Sequence, residues 1–150
     1  MSYLEQLQYI VTAYMQAEQP WPATTREIAG WAISEGLWRP QPSAMVRQCA
    51  DELANALREE YITDPQGRTV RAKHVVRQYQ TALWADIRTA PAAHMQMAFQ
   101  QRRQQIVGDC RQLKVDVDSY NENYSKGQSI QMVFDFTYDL EEMELAKQAS

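Results

Sequence analysis

Apolar positions recur along this chain at helical spacing in several separate runs, broken by short stretches that alternate or turn. Leu4, Leu7, Val11 and Tyr14 recur at threes and fours, which predicts an amphipathic first helix over residues 3 to 17. A second helix opens at TTRE, where Thr24 and Glu27 stand at capping-box spacing, and Ile28, Trp31 and Ala32 then share one face. Gly36 ends that run, and Pro40 and Pro42 keep the following segment extended. A third helix starts beyond Pro42 with Ser43 as N-cap. Its stripe of Val46, Cys49, Ala50, Leu53, Ala54 and Leu57 suits packing against the helix before it.

The period then changes. Tyr61, Ile62 and Thr63 favour a strand, DPQG supplies a turn, and TVRAKHVV returns with Val70, Ala72 and His74 on one face against Arg71, Lys73 and Val75 on the other. Residues 79 to 87 alternate like a further strand. From Ala92 to about Tyr124 the apolar positions are spaced by threes, fours and sevens, nearly a coiled-coil seam. Arg103 sits in that seam, and Gly108 weakens the helix by roughly 1 kcal/mol. IQMVFDF alternates again and predicts a short strand that pairs with 79 to 87 or with a second subunit. DLEEMELAKQ predicts a closing helix capped by Asp139.

The order of two capped helices followed by a basic hairpin resembles the winged helix-turn-helix superfamily, over roughly residues 3 to 77. That resemblance implies a recognition helix from Ser43 to Arg58 and a wing from Gly67 to Arg77. The expected architecture is mainly α with small β: a winged helix-turn-helix over residues 1 to 88, then an extension over 89 to 150. The extension consists of a long coiled-coil-like helix and a short strand-helix tail.

Charge sharpens the picture. The net charge is −4, which argues against indiscriminate coating of nucleic acid, yet its distribution is uneven. Residues 68 to 77 hold Arg68, Arg71, Lys73 and Arg77 and no acid, whereas residues 112 to 150 hold three lysines against eight carboxylates. The basic hairpin is therefore expected to lie along phosphate. Arg47 and Gln48, near the start of the third helix with Ser43, are expected to reach base edges, while Asp51 and Glu52 confine contact to the first turn. A homodimer is expected through Phe99, Ile106, Leu113, Val117 and Tyr120. The competing arrangement folds the long helix back on the first one.

Catalytic and metal chemistry find little support. His74 and His94 are the only imidazoles, no nucleophile or phosphate-loop motif accompanies them, and His74 is read as a phosphate contact or a hairpin packing residue. In VDVDSYNEN, Tyr120 and Asn121 stand where a calcium loop needs an oxygen ligand and a glycine. Cys49 and Cys110 read as reduced core thiols. There is no apolar run of membrane length, and the N-terminus lacks the basic region of a signal peptide, so a cytoplasmic protein is expected. The function expected is that of a non-enzymatic, cofactor-free regulator or accessory protein bound to double-stranded DNA. The alternative is a protein-interaction module inside a larger assembly, with the acidic C-terminal segment as a docking surface.

Overall fold

The computed structural model describes residues 1–41 and 44–148 and divides into two compact units, Met1–Ala56 and Leu57–Ser150. Ser43, the expected cap of the third helix, lies outside the described residues.

In the first unit, α1 (Tyr3–Gln16) and α2 (Thr25–Ser34) both begin with complete capping boxes, Ser2 with Glu5 and Thr24 with Glu27. Each box satisfies two of the amide donors that a helix start leaves unpaired. The helices meet through Ile10 and Tyr14 on one side and Ile28 and Ala32 on the other, with Trp31 edge-on to Tyr14 at 5.4 Å. The Tyr14 hydroxyl donates to the Pro20 carbonyl at 2.8 Å, which satisfies its polar end at the edge of the core. Gly36, at φ +73°, turns the chain out of α2 in a conformation that L side chains rarely adopt.

The third helix, α3 (Met45–Arg58), forms as expected but buries no residue. Val46 is 82% exposed, and Cys49, Ala50 and Leu53 are exposed too, so the stripe expected to pack on α2 is uncovered at these positions, while Ala54 and Leu57 are half-buried. Cys49 is accordingly a surface thiol and not a core one. Cys110, also free, is half-buried.

In the second unit, β1 (Tyr61–Thr63) pairs antiparallel with β2 (Thr69–Arg71), Ile62 opposite Val70. The turn between them is the one DPQG predicts. Asp64 accepts from the amides of Gln66 and Arg68, and Gly67 takes φ +86°. The returning run is not one strand. It breaks at Ala72, which is wholly buried, and its amide donates to Glu60 while its carbonyl accepts from Ile87. Ala72 thus joins two hairpins, the second made of β3 (Lys73–Gln78) and β4 (Thr81–Asp86). Tyr79, expected within a strand, instead occupies the tight turn at φ +56° and is fully exposed. His74 and Val76 are buried on one face of β3.

The long helix α4 (Ala92–Asn123) is 32 residues, about 48 Å at 1.5 Å per residue. Its first turns pack against β3. Beyond it, residues 130 to 136 form no strand, so the pairing expected with 79 to 87 is absent, and β4 pairs with β3 instead. The backbone of Ile130 is held by the side chain of Asn121, which both accepts from its amide (2.9 Å) and donates to its carbonyl (2.8 Å). A side-chain amide thereby does the pairing a strand neighbour would have done. The last helix, α5 (Thr137–Gln148), is preceded by Asp135, which accepts from the Thr137 amide and hydroxyl. Asp139, expected as the cap, lies inside the first turn and faces the helix dipole favourably.

Candidate nucleic-acid interface

The second unit holds a cavity of about 440 Å³ between the β3–β4 hairpin, the end of α3 and the first half of α4. Strand alternation supplies one wall: Lys73, Val75 and Arg77 share a face of β3, and Trp84 lies directly opposite Val75 on β4. Arg58 places its guanidinium 5.6 Å from the centre of the Trp84 ring, within cation–π range. Helix α4 supplies the other wall with Ala98, Gln101, Arg102 and Gln105, spaced by threes and fours along one face.

Gln101 fixes the two walls together. Its amide group donates to the Arg77 carbonyl and accepts from the Arg77 amide, both at 2.8 Å. The edge of β3 left open by β4 is thereby occupied at this point. A second tie comes from His94, whose ring N–H donates to the His74 carbonyl at 3.0 Å. His74 itself donates to the Arg71 carbonyl at 2.9 Å and stands edge-on to Phe99 at 5.2 Å. It is therefore the hairpin packing residue of the two roles expected for it.

The cations around the cavity fall into two groups. Lys73 is held between Glu60 at 2.8 Å and Asp86 at 2.9 Å, and its ammonium is raised above its ordinary pKa by Asp86 first and Glu60 second. Asp86 also binds Arg88 at 2.6 Å, and the hydrogen bonds from Arg88 and then Lys73 hold its carboxyl far below the usual carboxylate range. Arg68 turns back onto Asp64 at 2.7 Å. Two of the four hairpin cations expected at phosphate are thus spent on internal carboxylates.

Arg71 and Arg77 are not. Among the described residues neither forms an ion pair with a carboxylate, and α4 adds Arg102 to them. Arg102 is pushed below its ordinary pKa by partial burial and then by the like charge of Arg71. Like charges gathered without a counter-ion form a site of high potential for an anion.

Arg47 and Gln48 are exposed on α3, in the first unit, where Gln48 donates to Glu52 at 3.4 Å. Of the expected dimer residues, Phe99, Ile106, Leu113 and Tyr120 are exposed and Val117 is half-buried. The run 115 to 123, set aside as a calcium loop, is the last part of α4. The chain matches no family model, no curated protein and no solved structure. No helix among the described residues is long and apolar enough to cross a membrane.

Arg58, Trp84 and Arg102 did not emerge from the sequence as site residues. Only Arg102 carried a signal: residues 92 to 107 contain Arg102 and Arg103 and no acid, a cationic stretch of helix directly after a cationic hairpin.

Proposed function

We propose that this chain is a non-enzymatic protein that binds double-stranded DNA, acting in the cytoplasm as a regulator of transcription or a DNA-acting accessory protein. The observation that carries the reading is the convergence of Arg71, Arg77 and Arg102 on one open cavity, with no carboxylate among the described residues paired to any of them. Phosphate neutralised there releases condensed counterions, a favourable contribution that grows as salt falls. Arg58 and Trp84 widen the surface with a cation stacked on an aromatic ring. In the winged-helix reading, Gly67 to Arg77 is the wing, Ser43 to Arg58 is the recognition helix, and Ser43, Arg47 and Gln48 read or flank base edges. The reading also includes a homodimer through α4.

The test is fluorescence anisotropy with a labelled duplex across a salt series. Three neutralised phosphates predict a log–log slope of about −3, and Arg71→Ala with Arg77→Ala reduces its size by about 2. Absence of binding at low salt, or a slope indifferent to these two changes, overturns the proposal. A second reading, a protein-interaction module, is favoured by the exposed apolar stripe of α3. In that case duplex DNA is ignored, and Val46→Glu or Leu53→Glu abolishes capture of a protein partner.

A further inference from the structure

The apolar line of α4 has a repeat that defines its own partner. Phe99, Ile106, Leu113 and Tyr120 stand seven residues apart and are each between 41% and 53% exposed. Between them fall Arg103, Cys110 and Val117, with Tyr124 at the helix end, so the seam alternates in steps of four and three as a two-helix interface requires. At 100° per residue the seam lies about a quarter turn round the helix from Ala98, the residue buried against the hairpin. A partner on the seam therefore leaves the basic cavity open.

We propose that α4 pairs with α4 of a second copy of this chain in antiparallel orientation, with the two-fold axis passing between Arg111 and Gln112. The inference deepens the homodimer within the functional reading and does not depend on DNA binding. Two features decide the direction. In a parallel pair every seam residue meets its own copy, which sets Arg103 against Arg103 inside an apolar interface, and unpaired buried charges of like sign are strongly unfavourable. In the antiparallel register the seam closes on unlike residues. Phe99 meets Tyr124, Ile106 meets Val117, and Cys110 meets Leu113. Arg103 meets Tyr120, where its stem covers the ring and its guanidinium has an aromatic face. The second feature is charge. Residues 100 to 107 carry two arginines and no acid, and this register lays them on residues 116 to 123 of the second copy, which carry three carboxylates and no cation.

The pairing also places the hairpins. The two-fold of such a pair is perpendicular to the plane of the helices, so elements that leave that plane on one copy leave it on the same side in the other. Both hairpins, a quarter turn from the seam, therefore project from one face of the dimer.

Two measurements on the full chain test this. Light scattering across micromolar concentrations is expected to give the mass of a dimer; a monomer overturns the proposal. Spin labels at exposed Gln100, introduced as Gln100→Cys with Cys49→Ala and Cys110→Ala, lie 23 residues apart along the antiparallel pair. The expected distance is about 35 Å, against about 10–15 Å for a parallel pair. A dimer with the short distance overturns the orientation while leaving the homodimer standing. Ile106→Glu is expected to give a monomer that keeps its helical circular dichroism, and a persistent dimer overturns the seam.

Discussion

Asp86 shows how single side chains decide which cations of the hairpin remain available. It binds Lys73 and Arg88 together, and Lys73 also holds Glu60, so these groups spend their charge on fixing the corner where the two hairpins join. Because the folded-state pKa of Asp86 is lowered, its stabilising contribution is fully present above the ordinary carboxylate pKa of about 3.9 and is lost as pH falls below it. Urea unfolding at pH 7 and pH 3 is therefore expected to show a loss of stability with acid that is smaller in Asp86→Asn. An unchanged acid loss assigns the effect to other carboxylates. Gln101→Ala removes both hydrogen bonds to the Arg77 backbone and is expected to cost about 1 kcal/mol, with a larger relative loss of phosphate affinity because Arg77 is no longer held against α4. The roles of Lys73 and Arg71 were not separable by reading TVRAKHVV. The two stand on the same face of the pattern, and what distinguishes them is Glu60 and Asp86, brought in from thirteen residues on either side. Arg102 was hidden for the same reason: nothing near it in sequence says that α4 returns to β3.

At the scale of elements, local chemistry was the reliable guide. The Thr24–Glu27 capping box, the DPQG turn and the helix α4 each rest on interactions spanning a few residues, and each formed where the pattern placed it. Elements that depend on a distant neighbour departed. Alternation runs unbroken through Ala72, so the corner between β2 and β3 has no local signature; it exists because Glu60 and Ile87 bond the two sides of one residue. IQMVFDF has strand periodicity but no strand beside it, and Asn121 holds its start in place of a ladder. The α3 stripe has helical periodicity, yet its Val46, Cys49, Ala50 and Leu53 stay exposed. Gly108 offers a direct check on α4. A Cβ built there meets nothing within 4 Å, and the residue has helical neighbours on both sides. Gly108→Ala is expected to stabilise the protein by about 1 kcal/mol, read as a higher denaturant midpoint at unchanged slope. No gain would mean that α4 frays at this point independently of global unfolding.

For the whole molecule, the proposed binding of a polyanion has to be reconciled with a net charge of −4. On that proposal, one cavity lined by Arg71, Arg77 and Arg102 would give a modest, salt-sensitive affinity, which the eight carboxylates beyond residue 111 would oppose. Antiparallel pairing through α4 changes the arithmetic without adding a single contact. The two Arg102 positions then lie 19 residues apart along the pair, about 28 Å, with both hairpins on one face. In the proposed dimer, a duplex long enough to reach both would be held twice, the second contact forming at an effective concentration set by the rigid helix pair. Ile106→Glu with Leu113→Glu is therefore expected to lower affinity for a long duplex by about 100-fold or more, while leaving each cavity intact. For a duplex shorter than the 28 Å span, wild type and variant should bind alike, since neither engages two cavities. Anisotropy titrations on both lengths distinguish the cases. Equal affinity of wild type and variant for the long duplex would show that each cavity acts alone, and a parallel loss on both lengths would place the substituted residues in the DNA contact itself.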